Sequence, residues 1–309
     1  MEARAMLTKK IEYLKVERKS PTQNLNEFKT PFTLKVLQWS FKNLGSVFPK
    51  FFGQLAWRLF QTPTTRAKHK KTDQLIDNAE IFDLNYLAHN IKIYSWGSGT
   101  KTALLVHGWA SRGTGMRSFV PYLLEKGYRV VAFDAPAHGD SSGTKNNPFL
   151  LSRFTKRIIT FVGGVDTIIA HSFGAFSTAL LLSKLDTSIP VRKLVLIAPF
   201  SNSMSALDFF QKFMGYSNKV RFYKEEASKK DTGFHPSEGN IQNIEQSDNI
   251  EEVLMVHDKH DNDTYVENSY HFYEKWERIQ MLETEGLGHY NIMKSPKVLE
   301  KITAFIERY

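Results

Sequence analysis

The sequence predicts an α/β fold, with a mostly parallel sheet and helices on both faces. Three observations carry that expectation. Short runs rich in Val, Ile and Leu recur at residues 102–106, 129–133, 166–170, 193–198 and 253–256, as strands buried on both faces must be. Segments with helical spacing of apolar residues separate several of them. Loops dense in Gly, Pro, Ser, His and Asp come after several of the runs, where an open parallel sheet collects its ligands.

Taken in order, residues 1–30 are polar and Lys-rich and are expected to be poorly ordered. Between 31 and 60, Phe32, Leu34, Leu37, Phe41 and Leu44, then Phe48, Phe52, Leu55 and Leu59, recur at helical spacing. Gly45 and Pro49 divide them into two short helices. Residues 61–71 read as a basic linker. Residues 80–87 and 91–96 read as two strands, the second closed by Gly97-Ser98-Gly99.

Helices are expected over 116–125, 148–162 and 173–185. The second has Asn147 as N-cap and Pro148 at its first position. The same signal, Ser295-Pro296, opens a terminal helix with Val298, Leu299, Ile302, Phe305 and Ile306 on one side. Residues 199–250 are too long for a single crossover: 205–214 read as an amphipathic helix, 219–230 are charged and 231–243 turn-rich. A lid or cap sits in such an insertion. The expected organisation is a basic, partly helical N-terminal extension over 1–72, and an α/β domain over 73–309 with a small helical cap near 200–250. No internal repeat is visible.

The composition narrows the function classes. The chain has 309 residues, 41% hydrophobic and 24% charged, with 23 Phe, 12 Tyr and 5 Trp, ample for a sizeable core. The absence of cysteine excludes disulfides, thiolate-bound zinc and a cysteine nucleophile, and fits a reducing, cytoplasmic location. The net charge of +9 is concentrated at one end: residues 1–72 hold 15 Lys and Arg against 4 Asp and Glu, and the rest hold 26 against 28. The main domain is therefore not expected to bind nucleic acid. Met1 to Met6 lead into charge without an apolar h-region, so no signal peptide is expected. The early apolar stretch 47–60 is interrupted by Lys50 and Arg58, which argues against a membrane span.

The candidate chemistry lies in the loops at the ends of the strands. After Ile168-Ile169 comes Ala170-His171-Ser172-Phe173-Gly174-Ala175. A nucleophile elbow holds one serine in a sharp strand-to-helix turn, with small residues two before and two after it so that strand and helix approach closely. Gly174 and Ala170 meet that requirement, and Ser172 is the candidate nucleophile. The bland alternative, an ordinary turn serine, lacks a reason for the apolar strand before it and the helix after it.

After Leu105-Val106 comes His107-Gly108-Trp109. An oxyanion hole needs two backbone N–H groups aimed at one point, here expected from Trp109 and from Phe173, the residue after the nucleophile. His107 reads as a buried turn residue, and His138, in the loop Asp134-Ala135-Pro136-Ala137-His138-Gly139, is also given a structural role.

After Met255-Val256 comes His257-Asp258-Lys259-His260-Asp261-Asn262-Asp263. Its histidines lie three apart without a helix to align them, so no metal site is expected. An acid that steadies an imidazole fits better: Asp261 foremost, with Asp258 and Asp263 as rivals. Last, Gly286-Leu287-Gly288-His289 sets a histidine beyond two glycines, in a loop able to carry it over the sheet edge. The order Ser, Asp, His along the chain matches one known arrangement of this chemistry.

Together these motifs, over roughly residues 80–309, resemble the α/β-hydrolase superfamily, in a serine-esterase-like, bacterial form. The resemblance implies a sheet of about eight strands, a triad of Ser172, Asp261 and His289, and no cofactor. It also favours Asp261 over Asp258. The departures are Ala170 in place of glycine and Asp258 where glycine is common. Residues 1–70 lie outside the core resemblance, although Leu59-Phe60-x-Thr62-Pro63 looks similar to a leader in some bacterial members.

The expected function is hydrolysis of a carboxylic ester of a small-molecule acyl substrate. Thioester hydrolysis or acyl transfer by the same triad stays open, as does a non-catalytic binding protein on this fold. A serine nucleophile argues against the epoxide hydrolases and dehalogenases of this fold, which use aspartate. Residues 31–71, basic and aromatic, are expected to pack on the main domain with their lysines in solvent, since the apolar stripe needs burial; peripheral contact with an anionic membrane, at the inner face, is the alternative.

Overall fold

The computed structural model describes residues 9–16, 31–67, 73–240 and 244–308. The strands are β1 (Ile11–Lys15), β2 (Glu80–Tyr86), β3 (His89–Trp96), β4 (Lys101–Val106), β5 (Tyr128–Phe133), β6 (Thr167–His171), β7 (Val191–Ile197), β8 (Ile250–Asp258) and β9 (Ile279–Glu285). The helices are α1 (Phe32–Leu44), α2 (Pro49–Phe60), α3 (Gln74–Asp77), α4 (Phe119–Glu125), α5 (Pro148–Phe161), α6 (Phe173–Leu180), α7 (Ser203–Met214), α8 (Asn218–Thr232), α9 (Glu267–Lys275), α10 (Gly288–Asn291) and α11 (Pro296–Glu307).

The strands form one nine-stranded sheet in the order β1-β9-β8-β7-β6-β4-β5-β3-β2. β3 is antiparallel to both its neighbours and every other pair is parallel. The central strands are the expected apolar runs, and β4, β6 and β7 bury nearly every residue. The register carries Val106 beside Ala170, His171 beside Ile197, Ile197 beside Val256 and Val256 beside Leu282. The turns after β4, β6, β8 and β9 therefore emerge at one edge of the sheet, which brings their side chains within reach of one another.

Helix starts obey local chemistry. Asn147 accepts the N–H of Leu150 at 2.9 Å and Pro148 opens α5, capping an otherwise unsatisfied donor. Pro49 and Pro296 open α2 and α11 in the same way, though Ser295 makes no side-chain capping bond. Val298, Leu299, Ile302, Phe305 and Ile306 of α11 are all buried in the main core. The helix expected over 173–185 is α only to Leu180 and continues as a wider π turn over Leu181–Leu185.

The chain divides into two compact units, and the boundary expected at residue 72 is not where they part. Residues 9–16 belong with 63–201 and 244–308, because β1 pairs its backbone with β9 from Ile11 beside Met281 to Lys15 beside Glu285. The expectation of disorder over 1–30 is thus corrected for residues 11–15; residues 1–8 and 17–30, like 68–72 of the linker, lie outside the described residues.

Residues 31–62 instead form a second unit with 202–240. Its core joins Phe41 of α1, Phe52 and Ala56 of α2, and Met214, Tyr216 and Val220 of the insertion. Trp57 Nε1 donates to Asp231 at 3.0 Å, and the buried Lys224 lies 4.1 Å from the Phe60 ring and 4.6 Å from that of Phe210. Two sequence-distant helix pairs, neither able to bury its apolar face alone, share one core. Among the described residues no helix is long and apolar enough to cross a membrane.

Candidate active site

Ser172 occupies the turn between β6 and α6 with φ 53° and ψ −118°. Positive φ is costly for a residue with a Cβ and persists only where its surroundings impose it. Here they do. The N–H of Ser172 donates to Ile197 O at 2.8 Å, and α6 starts at the next residue. A Cβ placed on Gly174 would lie 2.4 Å from His107 O and 2.6 Å from Val106 O. Only glycine allows the helix to lie this close to β4, while Ala170 is fully buried two residues before the serine.

His289 Nε2 lies 3.0 Å from Ser172 Oγ, and His289 Nδ1 lies 2.7 Å from Asp261 Oδ2. With the Nδ1–H donated to the carboxylate, Nε2 is left to accept the serine hydroxyl proton. Gly286 and Gly288 have φ of 101° and 64°, left-handed values that favour glycine and turn the chain from β9 so that the His289 ring faces the serine. His171 Nε2 donates to His289 O at 3.0 Å, fixing the backbone of one partner to the residue before the other.

Asp261 is 2% exposed. Its Oδ1 accepts the N–H groups of Asp263 at 2.8 Å and Thr264 at 2.9 Å, and its Oδ2 also accepts the Thr264 hydroxyl at 3.1 Å. His257 Nε2 lies 3.4 Å from Oδ2 and 2.8 Å from Thr264 O, while His257 Nδ1 accepts from Ser269 Oγ at 2.6 Å. Burial pushes the Asp261 carboxyl upward, but the hydrogen bonds from His257, His289 and the Thr264 amide outweigh it, and the pKa falls well below the usual carboxylate range.

The rivals go elsewhere. Asp258 Oδ2 accepts from Thr284 Oγ1 at 2.7 Å and Leu287 N at 2.8 Å, and its Oδ1 accepts from His260 N at 3.0 Å. Asp263 is exposed. One atom each of Asp261, Asp263 and His289 lies within 4.8 Å of the others, a spacing that could hold a cation. The Nδ1 of His289 is already hydrogen-bonded to Asp261, so a metal on that atom would displace its proton; the two uses exclude each other.

Phe173 opens α6, so its N–H is among the first-turn donors that a helix leaves without an internal acceptor. Trp109 comes directly after Gly108, on which a Cβ would lie 3.2 Å from Ser172 Cβ. The rings of Trp109 and Phe173 meet edge-on at 5.1 Å. Both expected oxyanion residues therefore flank the serine. Phe200, three residues beyond β7, stacks on Phe176 of α6 at 4.2 Å.

His107 and His138 have the structural surroundings expected. His107 Nε2 accepts the Ala135 N–H at 3.0 Å, and His138 Nδ1 donates to Pro136 O at 2.8 Å. Burial lowers His107 to about 4; burial and then the neighbouring His107 lower His138 to about 3. His171 is lowered to about 3, first by burial and then by the charge of His289. The sequence alone assigns no role to His171, His257, Ser269 or Thr264. Only the presence of His171 and His257 inside the strand-end motifs could have signalled them.

A nine-stranded, mostly parallel sheet, a strand–serine–helix elbow and a histidine loop after the last strand define an α/β-hydrolase fold. The α/β-hydrolase-fold family matches residues 102–232, and the chain has the fold of that superfamily. No curated protein matches it. Among solved structures, an esterase of Pyrococcus furiosus is 18% identical, with 79% of this chain and 98% of that one covered and a TM-score of 0.54. The thioesterase domain from the curacin biosynthetic pathway is 17% identical, with 74% and 99% covered and a TM-score of 0.52. An epoxide hydrolase of Vigna radiata is 16% identical, with 76% and 99% covered and a TM-score of 0.54. At these identities the likeness is one of fold.

Proposed function

We propose that the protein is a serine hydrolase that cleaves a carboxylic ester, or a related acyl bond, of a small molecule through an acyl-enzyme on Ser172. The single observation that carries this is the hydrogen-bonded series Ser172 Oγ, His289 Nε2, His289 Nδ1 and Asp261 Oδ2, at 3.0 and 2.7 Å. His289 takes the hydroxyl proton as Ser172 Oγ bonds to the acyl carbon. The N–H groups of Phe173 and Trp109 hold the developing oxyanion. The imidazolium then returns the proton to the leaving oxygen as the carbon–oxygen bond breaks. Water, deprotonated by His289, then adds to the acyl carbon, and the Ser172 Oγ–carbon bond breaks as the imidazolium returns that proton to Oγ and the acid leaves. Ionised Asp261 keeps the Nδ1–H in place and offsets the imidazolium charge.

A thioester as substrate, or an alcohol in place of water, uses the same groups; the fold neighbours include an esterase and a thioesterase domain. A fluorophosphonate probe and a series of esters and thioesters of increasing acyl length test the reading. The wild type is expected to label and turn over, and Ser172→Ala to lose labelling with roughly a thousandfold or greater loss of turnover. An unlabelled, inactive wild type means that the fold serves binding rather than catalysis.

A further inference from the structure

Helix α1 is apolar on two opposite sides. Leu34, Leu37 and Phe41 pack in the second unit's core. Phe32, Val36 and Trp39, spaced i, i+4, i+7 and so sharing one face, are exposed, Phe32 to 79% and Trp39 to 60%. The corner between α1 and α2 adds Val47, Phe48 and Phe51, all exposed. Gln38 Nε2 donates to Phe213 O at 2.7 Å, which sets the end of α7 beside α1, and exposed Phe209 and Phe213 stack at 6.3 Å. Soluble proteins rarely leave so many large apolar side chains uncovered in one small region.

The charge around these side chains identifies what covers them. Residues 31–62 hold Lys35, Lys42, Lys50 and Arg58 and no Asp or Glu, and all four basic side chains are exposed. A second copy of the chain would bring like charges together across such a face. An anionic bilayer complements it, since rings and aliphatic groups enter the headgroup region while lysine stems keep their ammonium groups among lipid phosphates.

We propose that the second unit docks on an anionic lipid bilayer through the outer face of α1 and the α1–α2 corner. The proposal is independent of the chemistry assigned to Ser172. The full chain is sedimented with sucrose-loaded vesicles of phosphatidylcholine alone, or with about one third phosphatidylglycerol, at low and high salt. The expected result is binding to the anionic vesicles, weakened at least about tenfold without the anionic lipid or at about 0.5 M salt.

The triple variant Phe32→Ser, Val36→Ser, Trp39→Ser is expected to lose binding at least about tenfold while melting at the wild-type temperature. Lys35→Glu with Lys42→Glu is expected to lose only the anionic preference. Wild-type protein left in the supernatant with anionic vesicles at low salt overturns the proposal, and this arm needs no variant to fold. A folded triple variant that binds like the wild type also overturns it. So does light scattering showing a dimer that the same substitutions disperse, because a second copy then covers the face.

Discussion

The carboxylate of Asp258, at the end of β8, accepts the backbone N–H of Leu287 at 2.8 Å, two residues before His289. The same oxygen accepts the Thr284 hydroxyl at 2.7 Å, and Asp258 is fully buried. The histidine loop is thus tied to the strand that precedes the Asp261 loop, at a position where the resembling family commonly has glycine. Asp258→Ala leaves buried donors unsatisfied, at a cost of about 1–3 kcal/mol, and frees the loop. The expected outcome is a fall in turnover of about tenfold to a hundredfold with KM little changed, partly recovered in Asp258→Asn. Unchanged turnover at a lowered melting temperature would show that the bond serves stability alone.

Asp261→Asn keeps the shape of the site but removes the charge that opposes the imidazolium and favours the Nδ1–H form. Turnover is expected to fall by roughly three to four orders of magnitude. Because the Asp261 carboxyl is held well below its usual range, it stays ionised at every pH at which esterase activity is ordinarily measured. The acid limb of the wild-type pH–rate profile is therefore not expected to come from the Asp261 carboxyl. Steady-state rates across pH for the two proteins check both statements, and a wild-type limb at carboxylate pH would contradict the second.

Gly174→Ala tests the packing of the elbow. The added Cβ would meet backbone oxygens of Val106 and His107, neither of which can swing away. A destabilisation of about 3 kcal/mol or more is expected, at the large end for point substitutions. Ala170→Gly, which restores the commoner residue without a clash, should cost about 1 kcal/mol or less. Denaturant titration of both variants measures the difference.

His107, His138 and His171 are buried, with pKa values lowered to about 4, 3 and 3 from 6.5, in each case first by burial. Their folded-state values lie below the unfolded one, so between those limits the unfolded chain binds more protons. Stability should therefore be steady above about pH 6.5 and fall as the pH drops through 6 toward 4. His171→Asn should reduce the slope of melting temperature against pH in that window. A slope unchanged by the substitution would mean that other groups drive acid unfolding.

Much of the sheet is legible in the residues, because β4, β6, β7 and β8 are buried on both faces and carry their own signal in Val, Ile and Leu. β9, Ile279–Glu285, interrupts its apolar residues with Gln280 and ends in Glu283-Thr284-Glu285, and is not among the strands expected from the sequence. β1, Ile11–Lys15, is hidden in a Lys-rich segment. Both become strands through the partner they pair with, which a local pattern does not contain. The two N-terminal helices are legible too, but not their grouping: Phe41 packs with Met214, Tyr216 and Val220 from residues far along the chain.

The sequence by itself determined the elbow at Ser172, since a small residue, a serine and a glycine between an apolar strand and a helix admit few other local structures. It also determined the order of serine, aspartates and histidine along the chain. Only the tertiary structure decided which aspartate reaches His289. Asp258, Asp261 and Asp263 lie within six residues of one another, and a hydrogen bond is short and directional. How β8 and β9 pair therefore sends Asp258 to Leu287 and Asp261 to the imidazole, a partition that the residues of the loop do not contain and that only the family resemblance had favoured.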